Sequence, residues 1–382
     1  MKKIFTVAKV KNESDIIESF CRYNLTYCDG MLIQDNGSSD GTKQILQKLI
    51  DEGLPIYFTE GIGQSRRALL AIDEYDADLI VPLDADEFLY NIDGKNPREC
   101  LEALDETVEY QAIWRTYVYE KEPDISLGFM PNNFRYYRNS ILEQYSNTRK
   151  VITSKFLMKN KHAVFVRGAH FLQYPIEFKN ISNIQIHDKL VFAHFPLRSN
   201  YQIEIKTMAN WIYKFGVSNH EPRERLDIYQ IGMLFNHLKK YGEFKKEDIK
   251  NFSIIYAIIT SKENNLTKDG LNEILTKLGN SRTIYDPMKT SFCNNKLELH
   301  YTSYVDHKSV FFRILLNEID NTIMLLDRES SERSKKINEL VSSRSWRFTK
   351  PFRACGSFIR DNKILYFLAK RIISIKRNGF NL

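Results

Sequence analysis

Apolar and polar positions over the first hundred residues change period at regular intervals. Short runs rich in β-branched and aromatic residues, IFTVAKV (4–10), GMLIQD (30–35), PIYFTE (55–60) and LIVPLD (79–84), read as strands. Between them, SDIIESFCRYNLTY (14–27), SDGTKQILQKLIDEG (39–53) and SRRALLAIDEY (65–75) carry apolar residues at helical spacing. Ser14 is placed to cap the first of these helices, and Gly53 to end the second. Strands separated by single helices predict right-handed βαβ units, hence an α/β fold with a mostly parallel central sheet flanked by helices.

In such sheets, ligands bind beyond the carboxyl ends of the strands. Polar residues gather there: Lys11, Asn12 and Glu13 after the first strand, Asp35, Asn36 and Asp40 after the second, and Asp84, Asp86 and Glu87 after the fourth.

The pattern changes downstream. Residues 110–200 are irregular and aromatic-rich, which predicts short strands and long loops covering the sheet edge. Residues 202–216, 225–242 and 271–279 are amphipathic and close near glycine, as helices do. Ile319, Ile323, Leu326, Ile337 and Leu340 follow a 4-3 spacing broken at Ser330 and Arg333, consistent with an ordinary amphipathic helix or a short coiled coil joining two copies of the chain. The domain reading is a catalytic domain over 1–200, with a nucleotide-binding half (1–110) and an acceptor half (111–200). A helical region (201–305) and a basic amphipathic helical tail (306–382) follow.

Composition narrows the class. With 382 residues, 43% hydrophobic and 27% charged, the chain has the content of a folded globular protein of more than one domain. The net charge of +7 is concentrated in the last forty residues, where ten Lys and Arg face the single acid Asp361 among interleaved aromatics. This suits an anionic membrane surface. No recognition motif accompanies the basic residues, so a nucleic-acid partner is not expected. The five cysteines are scattered and form no C-x-x-C pair, which argues for a reducing compartment and against a zinc or disulfide framework. The start MKKIFTVAKVKNE is expected to be a first strand, not an export signal, because Lys9 and Lys11 break its apolar run. A cytoplasmic protein, peripheral on the inner membrane face, is the expectation.

Two carboxylates two residues apart at a strand end repel each other unless a cation sits beside them. A hard divalent ion, Mg²⁺ or Mn²⁺, takes such oxygens and completes its shell with phosphates and water. The alternative is a solvated acidic turn. In LIQDNGSSDGT (32–42), Asp35 ends a strand and a short polar turn leads to a helix N-terminus, an arrangement that can accept a base N–H and present backbone donors.

VKNE (10–13), QDNGSSDGT (34–42) and PLDADEF (82–88) together resemble the nucleotide-sugar-binding half of family 2 glycosyltransferases with the GT-A fold. The resemblance covers residues 1 to about 200 and extends to a bacterial surface-polysaccharide branch through Lys150–Ile152, Gly168–His170 and His194–Ser199. It implies that Asp35 holds the nucleobase, commonly uracil, with Lys11, Asn12, Glu13 and Asn36 lining the pocket and Arg66 or Arg67 near the nucleotide. Asp84 would meet the ribose or the metal, with Ala85 between it and the metal-binding Asp86. A downstream histidine, His194 first and His170 second, would add a metal ligand, and Arg198 would neutralise the departing diphosphate.

The reaction implied is transfer from a UDP-sugar to a hydroxyl of a glycan or glycolipid, with inversion. The family's usual downstream Glu-Asp pair is not evident, which leaves Glu120, Asp124, His170 and Glu177 as candidate bases. Trp114, Tyr117, Tyr119, Tyr136 and Tyr137 are candidate stacking surfaces or core. Competing readings are a haloacid-dehalogenase-type phosphotransferase, a sugar-1-phosphate nucleotidyltransferase, and a catalytically silent membrane scaffold. The first would continue its D-x-D with Thr or Val, where this chain has Glu87; the second would need a Gly-rich basic loop in place of KVKNES.

Overall fold

The computed structural model describes residues 1–118 except 60, 128–134, 136–137, 149–166, 168–178, 183–217, 230–245, 249, 252, 284–285, 299–301 and 307–342. The chain forms two compact units, Met1–Thr322 and Ile323–Leu382.

The four predicted strands form as read: β1 (Ile4–Val10), β2 (Gly30–Asp35), β3 (Ile56–Thr59) and β4 (Leu79–Asp84). They pair in parallel in the order β3-β2-β1-β4. Their residues alternate between two buried faces. Ile4, Ala8 and Val10 pack with α1 (Ile17–Asn24) and α2 (Thr42–Asp51) through Ile17, Phe20, Ile45, Leu46 and Leu49. Phe5 and Val7 face α3 (Gln64–Tyr75) through Ala68, Ala71 and Ile72. Each such apolar side chain, fully buried, contributes on the order of 1.5–3 kcal/mol.

The first helix begins later than expected. Ser14 does not cap it; residues 13–16 form a turn closed by bonds from the Ile16 and Ile17 N–H groups to Glu13 O, and the Ser14 N–H donates to Asp40 Oδ2 at 2.9 Å. The polar groups of this stretch are thus drawn toward the neighbouring strand-end loop and not toward the helix.

The middle of the chain departs from the expected cover of short strands and loops. After β5 (Glu87–Asn91) and α4 (Pro97–Glu102), β6 (Glu109–Val118) runs ten residues and, past the two-residue β7 (Tyr136–Tyr137), β8 (Arg149–Ser154) follows. A short helix, α5 (Lys155–Asn160), and the hairpin β9 (Val164–Val166) and β10 (Phe171–Gln173) lead to β11 (Ile184–His194). These strands extend the sheet: β8 lies antiparallel between β4 and β6, while β11 pairs in parallel with β6 and antiparallel with β5. Residues 190–194 of β11 are all buried because partners flank them on both sides, which is why they read as one continuous apolar run.

Helices α6 (Asn200–Val217) and α7 (Gln230–Tyr241) form over predicted segments, and Gly242, at φ +82, follows the second. Residues 284–285 form β12, paired with β7. The predicted helix at 271–279 lies outside the described residues, as does the basic segment 343–382. A 36-residue helix, α8 (His307–Ser342), carries the 4-3 pattern; within the second unit Ile323 and Met324 are exposed and Leu326 is half-buried. Among the described residues, no helix is long and apolar enough to cross a membrane.

Candidate active site

At the strand ends, two loops fix each other. After β1, the Asn12 N–H donates to Ser38 Oγ at 2.9 Å, Asn12 Oδ1 accepts the Ser39 N–H at 2.8 Å, and the Glu13 N–H donates to Thr42 Oγ1 at 2.8 Å. Asn12 takes the left-handed conformation, φ 56, which this residue tolerates better than most. Asp35, half-buried at the end of β2, accepts the Ser38 N–H at 3.2 Å and the Ser38 hydroxyl. Lys11 and Asn36 lie on these same loops. The sequence reading left Arg66 and Arg67 open, and the two differ sharply. Arg66 is exposed, whereas Arg67 is buried and bonded to Gln34 Oε1 and, at 2.7 Å, to Ile62 O. Its Nε, like Thr59 Oγ1 at the end of β3, is buried with no hydrogen-bond partner among the described residues.

Asp84 ends β4, Asp86 is the second residue of the two-residue turn that leads into β5, and the two meet different partners. Asp84 has a side chain 54% exposed and meets Lys150 Nζ at 3.0 Å. Ala85 and Asp86 are buried. Around Asp86 stand His194 Nε2 at 3.6 Å, Lys206 Nζ at 3.3 Å and Arg198 Nη1 at 3.7 Å. The repulsion between the two acids is therefore relieved by side chains of the chain itself, on separate sides.

Burial works to raise the Asp86 carboxyl, but Lys206, then His194 and Arg198, outweigh it and hold it well below the ordinary carboxylate range. Burial lowers the His194 pKa despite the Asp86 charge. An ionised Asp and a neutral His are the ligand states a metal requires. Asp86 and His194 come together across 108 positions of sequence because β11 lies between β5 and β6, setting His194 opposite Glu87 on one side and Thr116 on the other. Thr116 Oγ1 lies 3.3 Å from His194 Nδ1, which leaves Nε2 as the atom facing Asp86. The Phe195 N–H donates to Asp86 O at 2.9 Å, fixing the turn to the strand end.

No cluster of three or more His, Cys, Asp or Glu stands ready for a metal among the described residues. The oxygen and nitrogen donors of Asp86 and His194, with exposed Asp84 at the rim, fit an Mn²⁺ or Mg²⁺ ion that draws the rest of its shell from phosphates and water.

Lys206 was not read from sequence, and Lys150 and Glu87, though they stand in the motifs, were given no role in the site. Lys206 sits on α6; the Arg198 N–H donates to Gln202 Oε1, and Gln202 and Lys206 are four apart on one helix face, which was the available signal. Lys150 is buried in β8 between Asp84 and Glu87. Glu87, beyond the D-x-D, is wholly buried and accepts from Lys150 Nζ, from the Asp84 N–H at 2.8 Å and from Trp114 Nε1 at 2.7 Å.

Arg198 is wholly buried and spends its donors on protein: on Glu13, on Asp15 at 2.7 and 2.8 Å, and on Phe195 O at 3.2 Å. It clamps the loop after β1 to the end of β11. His170 is half-buried, and its Nδ1 lies 2.8 Å from Arg149 O. A carbonyl only accepts, so Nδ1 carries the hydrogen and Nε2 presents a lone pair. Burial, then Lys150, lower the His170 pKa. Glu177 is exposed on a short 3-10 turn, and Glu120 and Asp124 lie outside the described residues. Trp114 is no open platform for a sugar: it is buried and stacked on His194 at 4.1 Å, with its edge toward His170 at 5.5 Å. Tyr117 is core, stacked on Phe195 at 4.6 Å. Tyr119 and the side chains of Tyr136 and Tyr137 lie outside the described residues.

No protein-family model matches the chain. Over 137 residues it is 31% identical to the lipopolysaccharide core biosynthesis glycosyltransferase LpsC of Rhizobium meliloti (strain 1021), a match covering 35% of this chain and 48% of the relative. The chain thus spans about half the length of the curated relative it matches. Among solved structures it is similar to the mannosyltransferase PcManGT from Pyrobaculum calidifontis, in complex with GDP-Man and Mn²⁺, at 12% identity and TM-score 0.32, over 83% of this chain and 87% of that one. A cytidylyltransferase from Leptospira borgpetersenii serovar Hardjo-bovis (strain JB197) gives 10% identity and TM-score 0.27, over 66% and 98%. At such TM-scores neither likeness bears on what the chain does.

Proposed function

We propose that the chain is a glycosyltransferase of the GT-A type that moves a sugar from a nucleotide-sugar donor, a UDP-sugar in the favoured form, to a hydroxyl of a bacterial surface glycan. The observation that carries this reading is the approach of Asp86 and His194, 3.6 Å apart, at the carboxyl ends of strands, with Asp35 ending β2 and Arg67 on α3. The partial likeness to a lipopolysaccharide core glycosyltransferase supports the choice of reaction and glycan class.

In this reading Asp35 and the interlocked loops 11–13 and 36–42 receive the nucleobase, with Arg67, not Arg66, beside the nucleotide. Asp84 faces the ribose. Asp86 and His194 would hold Mn²⁺ or Mg²⁺, which when bound supplies Lewis-acid stabilisation of the leaving diphosphate. Lys206 adds a fixed positive charge beside them. Arg198 acts by holding Glu13, Asp15 and Asp86 in place, since it is wholly buried and four of its five N–H groups are bonded to protein.

His170 is the base: its Nε2 takes the proton of the acceptor hydroxyl as that oxygen bonds to the anomeric carbon and the bond from carbon to the diphosphate oxygen breaks. Attack from the face opposite the leaving group inverts the anomeric centre. Release of UDP from a panel of UDP-sugars tests this, with and without a chelator. Turnover of one donor that is abolished by chelation and by Asp86→Ala is the expected outcome; equal turnover by wild type and Asp86→Ala would remove the basis of the reading.

A further inference from the structure

The proposed site has two arms that share one buried support. One arm is Asp84, held at 3.0 Å by Lys150; the other is the pair Asp86 and His194, with Trp114 stacked 4.1 Å from the His194 ring. Glu87 touches both. Its Oε2 accepts from Lys150 Nζ and from the Asp84 backbone N–H, while its Oε1 accepts the Trp114 indole N–H. No part of Glu87 is exposed, so it cannot meet a ligand directly. Burial works to raise the Glu87 pKa and Lys150 to lower it, and the three separate donors that meet its two oxygens favour the ionised form.

We propose that Glu87 is the positioning residue of the site: one carboxylate that orients the Asp84 arm through Lys150 and the metal-facing ring of His194 through Trp114. The inference rests on the functional reading above and adds a residue outside the D-x-D. The chemistry of the contacts makes it specific. A carboxylate offers acceptors on both sides, whereas an amide offers an acceptor on one side and N–H donors on the other. In Glu87→Gln, whichever way the amide turns, donors confront donors at Trp114 or at Lys150 and the Asp84 N–H. The variant keeps the volume and loses one arm. Trp114→Phe keeps the aromatic stack on His194 and removes only the indole N–H.

The test is Mn²⁺ binding to the full chain in the presence of UDP, followed by the electron paramagnetic resonance signal of free Mn²⁺, which needs no turnover. Loss of an outer support of a metal ligand weakens metal binding by roughly 10- to 100-fold, and that weakening is expected for Glu87→Gln and for Trp114→Phe. Where the amide turns its N–H donors toward Trp114, adding Trp114→Phe to Glu87→Gln weakens binding less than the product of the two single effects, because both then act through one contact. Restoration of binding by Glu87→Asp is not expected, since the shorter side chain cannot span both arms. Wild-type Mn²⁺ affinity in folded Trp114→Phe and Glu87→Gln, checked by thermal melting, overturns the positioning role while leaving the functional reading intact. Should Glu87→Gln not fold, Trp114→Phe decides alone. Absence of UDP-dependent Mn²⁺ binding in the wild type overturns the functional reading itself, and this inference with it.

Discussion

Arg198 shows how a residue found by position can differ in role from the one expected of it. Its place after HFPL at the end of β11 was legible, but the acids that consume its guanidinium, Glu13 and Asp15, lie over 180 residues upstream, where no local pattern reveals them. Removing one partner of a buried ionic cluster strands the others without compensation, at a cost of about 3–5 kcal/mol. Arg198→Met should therefore lower unfolding stability by that order in a denaturant titration, where a residue serving only the diphosphate would leave stability unchanged. His170 carries the second prediction at this scale. Burial and Lys150 disfavour its imidazolium, so its pKa lies below the ordinary 6.5 and the neutral base persists through pH 7. As pH falls through that lowered pKa the base is protonated and kcat declines; above it kcat is flat. His170→Asn should remove this acid limb along with most of the rate, and an unchanged pH profile would assign the base elsewhere. Asp86 and Asp35 were readable because charge at a strand end is conspicuous. Lys150 and Glu87 stood in the motifs, but their pairing across 63 positions was not legible, because no local pattern encodes it.

The elements divide in the same way. The four parallel strands and their helices could be read because each repeats a local period and is bounded by turn residues, so neighbours in sequence are neighbours in space. The pairing of β6, β8 and β11 is set by contacts between segments dozens of residues apart, such as His194 opposite Thr116, and period alone does not encode such pairings. The register of β1 and β2 offers a test. Gly30 stands opposite Phe5, and a Cβ built on Gly30 would come within 2.5 Å of the Phe5 ring. The ring fills the space a side chain would need, so Gly30→Ala should destabilise by about 1–3 kcal/mol through overpacking. A Gly30→Ala protein with wild-type stability would show that the Phe5 ring can leave that position at no cost.

At the scale of the whole molecule, the basic segment 343–382 and the proposed donor site are separate features of one chain. Ten cations against one acid, interleaved with aromatics, predict adsorption to anionic vesicles that weakens as salt rises, because surface charges are screened within about 8–10 Å at physiological ionic strength. Cosedimentation of the full chain with phosphatidylglycerol vesicles but not phosphatidylcholine vesicles, reversed by salt, is the expected result; equal binding to both would remove the electrostatic argument. The central claim concerns the other feature, that Asp86 and His194 form one side of a metal and diphosphate site. Its most direct measurement is the thermal melt of the wild type and of Asp86→Ala with UDP, with Mn²⁺ and with both. A ligand at about 100 times its Kd adds roughly 2.7 kcal/mol to the folded state. The account predicts a rise of several degrees in the wild type only when UDP and Mn²⁺ are present together, and none in Asp86→Ala. An equal rise in the two proteins, or none in either, would contradict it.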